Sequence, residues 1–190
     1  MIHMASAFLA WMRTFFWKTI VSFGGGSIGV GTRIYEGAKI YSAPEARVFI
    51  GKNCALQQGT VLAASGKGQL VIGDNVYLGE YTIISSRGRI EIGANAIIAS
   101  HTFIVDFDHV FKDPARLIED QGYEIRPVVI GKDVWIGAGC KILKGVEIGE
   151  GSVIGAGSVV TKNIPPFSVC VGVPARVIRK RSEPVSVFPK

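Results

Sequence analysis

The chain has 190 residues, 48% of them hydrophobic and 19% charged, with 24 glycines and a formal net charge of +6. That length suits one domain with appendages, and the hydrophobic share excludes intrinsic disorder in favour of a glycine-punctuated, strand-rich chain. The positive charge favours anionic partners without separating nucleic acid, acidic lipid and a phosphorylated cofactor.

From Met1 to Phe23 the chain is rich in Phe and Trp, but Arg13 and Lys18 interrupt it well short of the ~20 apolar residues that a membrane span needs. It also lacks the basic start, unbroken apolar core and small-residue cleavage site of a secretory signal. Phe8, Trp11, Met12, Phe15, Phe16 and Ile20 share one helical face, so an amphipathic helix is predicted. The first reading is a lid on the open, apolar end of whatever follows. The second is an interfacial helix making peripheral membrane contact through residues 8–20.

From Ile28 onward an aliphatic residue returns every sixth position, in triplets: Ile28, Ile34, Ile40; Ile50, Leu56, Leu62; Ile72, Leu78, Ile84; Ile92, Ile98, Ile104; Ile130, Ile136, Ile142; Ile148, Ile154, Val160. A period of six fits neither a helix nor a simple strand, and reads as a repeat architecture. Each triplet makes one three-sided coil. Coil starts are 22, 22, 20, 38 and 18 residues apart, so 18 is the minimum and the extra residues fall at the third corner. The hexad-first residues should point inward, and glycines such as Gly29, Gly51, Gly73, Gly93, Gly131, Gly137, Gly149 and Gly155 are expected to permit the sharp turns. The fifth residue of each hexad is small or β-branched, as narrow space near a corner requires. This pattern establishes a parallel β-solenoid but not its hand. Cys54 and Cys140 occupy fifth positions and, with Cys170, show no metal-ligand spacing; three thiols suit a reducing, cytoplasmic compartment.

These hexads, with VIGKDVWIGAGCKILKGVEIGEGSVIGAGSVVTKNIPPFSVCVGVPARVIRKR over 129–181, resemble the left-handed β-helix acyltransferases of the hexapeptide-repeat superfamily. The resemblance is to galactoside and maltose O-acetyltransferases and to the O-acetyltransferases of surface-polysaccharide synthesis. It covers about residues 28–181 and is strongest after Ile92. It implies an all-β, left-handed parallel β-helix of about six coils, with an N-terminal amphipathic helix and lead-in over 1–27, one long catalytic loop over 105–129 and a short C-terminal tail over 182–190. It further implies acetyl-CoA as acyl donor, no metal, and a homotrimer with sites between neighbouring prisms.

The loop is polar, Pro-bearing and inserted in a tightly wound chain, which marks it as functional. Acyl transfer to a hydroxyl needs a base near neutral pH, and imidazole suits the task. Only His3, His101 and His109 are available; His3 lies in the N-terminal segment and His101 should point outward. By the resemblance the catalytic histidine is His109, with Asp106, Asp108, Glu119, Glu124 or a backbone carbonyl to orient it. A zinc site of the carbonic anhydrase type would need more histidines than His101 and His109.

For the donor, the resemblance places Ala138 and Ala156 against the pantetheine arm, Thr161 and Lys162 as a cofactor-binding pair, and Arg176 and Arg179 near the nucleotide phosphates. Trp135 should face outward and line the groove or a subunit contact. The Arg179, Lys180, Arg181 cluster lacks the aromatic platform of a nucleic-acid site. On the acceptor side the family's sugar-contacting Asn and Asp read Gly79 and Arg87, so a simple galactoside acceptor is not expected. The leading expectation is O-acetylation of a saccharide hydroxyl in surface-polysaccharide or glycan synthesis. Its rivals are N-acetylation of a nucleotide-linked amino sugar and a non-catalytic scaffold.

Overall fold

A computed structural model describes residues 2–183, with side chains from Met12 onward. The hexads wind into a three-sided parallel β-helix. Its first side is a six-stranded sheet, its second an eight-stranded sheet and its third a six-stranded sheet, built from parallel strands one coil apart except for the last strand of the second, which pairs antiparallel. Hexad-first residues stack in register along each side. On side 1, Ile28, Ile50, Ile72, Ile92, Ile130 and Ile148 pair in sequence. On side 3, Ile40, Leu62, Ile84, Ile104, Ile142 and Val160 do the same. The twenty-residue insertion therefore leaves the register intact, because Ile92 pairs with Ile130 directly across it. Every one of these side chains is buried, each worth about 1.5–3 kcal/mol of transfer free energy.

The fifth-position residues are buried too, and their polar atoms are satisfied locally. Thr32 donates its hydroxyl to the Gly51 carbonyl at 2.7 Å, Thr82 to Ala99 at 3.2 Å and Thr102 to Gly137 at 3.3 Å, each one coil ahead. The Cys54 and Cys140 thiols do likewise, to Gly73 at 3.1 Å and Gly155 at 3.2 Å. Burial pushes all three cysteine thiols up from their ordinary range, so they are protonated core residues.

The glycines second in each hexad serve a different purpose from the turn-making expected of them. The left-handed backbone falls two residues later, at Asn53, Asn75, Asn95, Asp133, Gly31, Gly37, Gly59, Gly139 and their equivalents. Gly29, Gly93 and Gly131 are needed for close stacking. A Cβ on Gly93 would lie 2.5 Å from the Lys132 nitrogen, and one on Gly29 the same distance from the Gly51 carbonyl carbon. Coils at the spacing of a β-ladder, ~4.8 Å, leave no room for a methyl there.

The helix Ile2–Phe23 covers the first coil, but not with the predicted face. Thr14 and Val21 are buried against the prism and Trp17 packs on the core, whereas Met12, Phe15, Phe16 and Ile20 are exposed; Phe8 and Trp11 lie outside the described side chains. Thr14 explains the choice. The first coil has no preceding coil to satisfy it, and the Ile34 N–H donates to the Thr14 hydroxyl at 3.0 Å. An all-apolar face would leave that donor buried and unpaired. The helix ends where Gly25 turns left-handed and the Gly26 N–H reaches the Val21 carbonyl at 2.9 Å. At the other end, past the last hexads, strands Ser168–Gly172 and Ala175–Lys180 form an antiparallel hairpin at the edge of side 2. Residues 184–190 of the predicted tail lie outside the described residues.

Candidate active site

The long insertion leaves the prism at the corner between sides 3 and 1. It is not an open loop: Phe107–His109 pairs antiparallel with Tyr123–Ile125, placing His109 opposite Tyr123 and Asp108 opposite Glu124. Beyond the hairpin, Gln121 clasps the Asp113 backbone in both directions, at 2.9 and 3.0 Å.

Asp106 anchors the base of this hairpin. It is fully buried, and its carboxylate accepts from the Ser86 hydroxyl at 2.7 Å, the Arg87 N–H at 2.8 Å and the Gly88 N–H at 2.9 Å. Its backbone carbonyl takes the Arg126 N–H at 2.8 Å, tying down the returning strand. Asp106 is thus spent on the preceding coil and is not the group that orients His109. Asp108 and Glu124 are not either, because both pair with Lys144, Glu124 at 3.4 Å. The Asp108 carboxylate holds the Lys144 ammonium above its ordinary range, and Arg126 holds the Glu124 carboxyl below its own. Glu124 and Lys144 are therefore charged at neutral pH. The contribution of Glu124 fades in acid, as it takes a proton below its unfolded value, and that of Lys144 in strong alkali, as it loses one.

What meets His109 is an aromatic ring. Its imidazole lies 4.6 Å from the Tyr123 ring, tilted by 46°. The same tyrosine meets Arg87, whose guanidinium carbon sits 3.7 Å from the Tyr123 centroid and 5.0 Å from that of Phe107. Among the described residues nothing hydrogen-bonds the imidazole, so its nitrogens remain available to a substrate. His109 is exposed on the rim of a cleft of about 380 Å³ lined also by Asp108, Phe111, Lys112, Glu124 and Lys144. Glu119 lies on the exposed outer turn and joins none of these contacts. Sequence reasoning missed Tyr123 and Lys144. Tyr123 carries no signal because register within the insertion is independent of the hexad period, and Lys144 reads in sequence only as an outward position just past Lys141–Ile142.

The residues expected on the donor side divide between two corners of the prism. Ala138 and Ala156 are exposed at the corner between sides 2 and 3, one coil apart, and the Gly157 N–H donates to the Ala138 carbonyl at 2.8 Å. Trp135 is half exposed on the outer face of side 2, aligned with Val153 and then Val169, which pairs with Arg179. Arg176 is exposed and Arg179 partly covered on the last strand, each donating to backbone carbonyls, Arg176 to Ala175 and Arg179 to Lys180 and Glu183. Thr161 and Lys162 are exposed just past Val159–Val160, at the same corner as His109. One chain therefore groups His109, Lys144, Thr161 and Lys162 at one corner, and Trp135, Ala138, Ala156 and Arg179 around another. No group of three metal-ligating side chains is present among the described residues.

Residues 127–162 match the family model "Bacterial transferase hexapeptide (six repeats)". The chain is 35% identical over 147 residues to "Probable acetyltransferase Rv3034c" of Mycobacterium tuberculosis, covering 77% of this chain and 49% of that protein, about half its length. It is 35% identical over 157 residues to WbbJ of Escherichia coli K12, named "Putative lipopolysaccharide biosynthesis O-acetyl transferase", covering 79% of this chain and 80% of that one. Among solved structures it is similar to AntD, an N-acyltransferase from Bacillus cereus in complex with dTDP-4-amino-4,6-dideoxyglucose and coenzyme A, with a TM-score of 0.71 and 29% identity over 82% of this chain and 84% of that one. The coil geometry, the unbroken register and the extent of these matches agree, and the chain belongs to the hexapeptide-repeat acyltransferase family.

Proposed function

We propose that this chain is an acetyl-CoA-dependent O-acetyltransferase acting on a saccharide hydroxyl in surface-polysaccharide or glycan synthesis, with His109 as general base. The observation that carries this reading is a histidine with both nitrogens unclaimed, braced by Tyr123 and Arg87 on the rim of a cleft. The imidazole takes the acceptor hydroxyl proton as its oxygen attacks the thioester carbonyl. The tetrahedral intermediate collapses with loss of the CoA thiolate, which receives that proton from the imidazolium. Both substrates are held at once and no acyl-enzyme forms.

The split between two corners supports a homotrimer in which His109, Thr161 and Lys162 of one prism face Trp135, Ala138, Ala156 and Arg179 of the next. Exposed Ile83, Ile97 and Trp135 on the outer walls suit such packing. The likeness to AntD keeps N-acetylation of a nucleotide-linked amino sugar as a second reading. Thiol release from acetyl-CoA, followed with matched hydroxyl and amino pyranosides, separates the two. Turnover with hydroxyl acceptors is expected; turnover with amino acceptors alone would replace the first reading by the second.

The exposed helix face supports peripheral contact with an anionic membrane from the cytoplasmic side. Met12, Phe16, Ile20 and Phe23 are outward, and no acidic residue precedes Glu36 while Arg13, Lys18 and Arg33 do. No helix among the described residues is long and apolar enough to cross a membrane. Cosedimentation with phosphatidylglycerol vesicles is expected and should be lost in Phe16→Ser with Ile20→Ser; equal sedimentation of both proteins would remove the assignment.

A further inference from the structure

At the corners that follow sides 1 and 2, the fourth residue of each hexad takes the left-handed backbone, which glycine and asparagine adopt at least cost. At the corner between sides 2 and 3 the fourth residues are, coil by coil, Gly37, Gly59, Tyr81, His101, Gly139 and Gly157, all with positive φ. Tyr81 has φ 56° and His101 φ 59°, so two bulky side chains occupy consecutive positions where the fold favours glycine. Elsewhere among the left-handed fourth positions of the described hexads only Phe167 departs so far from Gly, Asn and Asp, and it lies over Gly151 at another corner.

The two rings use the position for something specific. They stack on each other at 5.3 Å with an interplanar angle of 15°, and both are exposed. Tyr81 closes the lower end of the column, since a Cβ on Gly59 would meet its ring at 2.5 Å. The upper end is open. At Gly139 and Gly157, directly above His101, an added Cβ would meet nothing within 4 Å. The result is a step: a bare floor two coils high, bordered by Ala138 and Ala156, that ends against the upper face of an imidazole. Beside the step the Ser100 hydroxyl donates to the Glu80 carboxylate and holds it below its usual range, so it is ionised at neutral pH.

We propose that the Tyr81–His101 stack is the platform on which the acceptor's pyranose ring lies, with the Glu80 carboxylate accepting from a ring hydroxyl. The proposal rests on the transferase reading and adds the acceptor's place and chemical class. A pyranose offers an apolar C–H face to an aromatic ring and a rim of hydroxyl donors to a carboxylate. A nucleotide would bring phosphates against ionised Glu80, which disfavours the donor's adenine end there. The bare floor above then suits the slender pantetheine arm, whose thioester would arrive at the platform's edge. In the proposed trimer this corner faces His109 of the next subunit.

The test is His101→Gly, alone and with Tyr81→Gly, in the full chain. Because glycine relieves the left-handed strain, the thermal midpoint should not fall. The KM for p-nitrophenyl pyranoside acceptors should rise about ten-fold or more while the KM for acetyl-CoA stays unchanged. Pyranoside binding, read separately by saturation-transfer NMR, should weaken in parallel. That second readout stands even if wild type transfers nothing to these acceptors, so failure of the transferase reading is distinguishable. An unchanged pyranoside response, a rise confined to the acetyl-CoA KM, or no pyranoside binding to wild type would each overturn the platform.

Discussion

His109→Ala should lower acetyl transfer by about 10²–10⁴-fold and leave CoA binding unchanged. The expectation follows from what the imidazole does and does not hold together. It accepts and donates no hydrogen bond among the described residues, and its contact with Tyr123 is a tilted ring packing. The hairpin that carries it is secured independently, by the Asp108–Lys144 ion pair, by backbone pairing of Asp108 with Glu124, and by the Arg126 N–H on the Asp106 carbonyl. Removing the ring therefore removes the proposed base and little else. The substitution leaves the residues proposed to hold the cofactor at both corners in place, so calorimetric binding of CoA should match wild type. Thiol release within a few-fold of wild type would show that another group carries the proton.

Asp106→Ala should be the most damaging single change to stability near the site. It removes the acceptor for two buried backbone N–H groups, those of Arg87 and Gly88, and for the Ser86 hydroxyl. Leaving such donors unpaired costs about 2–5 kcal/mol in sum. For a chain of this size that lowers the thermal midpoint by roughly 5–15 °C. Asp106→Asn offers no full rescue, because its amide nitrogen must face one of the same donors. Activity should fall further than stability alone requires. Arg87, which braces Tyr123 beneath His109, loses its backbone anchor. A midpoint within a degree or two of wild type would mean that water replaces the carboxylate, and the anchoring role would be lost.

The extent to which the sequence announces this structure differs sharply between its parts. The six-residue period carries inward residues, coil boundaries, the corner of the long insertion and the buried fifth positions, because all of these repeat. Ile92 over Ile130 is the clearest case, a pairing across a long excursion that periodicity alone places. What does not repeat was not legible. The helix face was misjudged because hydrophobic spacing has no knowledge of the lone Ile34 donor that Thr14 must satisfy. The second-position glycines were credited with turning the chain when their role is close approach between coils. Within the insertion, family resemblance singles out His109. Its partners Tyr123 and Arg87 come together through a hairpin register and a buried aspartate that no period encodes. A signal for Tyr81 and His101 did exist. They stand in the fourth slot after sides 1 and 2, where the described hexads otherwise hold Gly, Asn or Asp, apart from Phe167.

The central claim is a site completed by two chains, His109 from one and the Ala138–Ala156 corner from the next. Subunit mixing tests it most directly. His109→Ala lacks the base, and Ala156→Trp fills the corner where the donor arm is placed, so each homotrimer should be inactive in thiol release with saccharide acceptors. When the two are unfolded together and reassembled, mixed trimers contain interfaces with an intact base facing an intact corner, and a substantial fraction of wild-type activity should return. Mixed trimers that form, by native mass, yet release no thiol would contradict the shared site.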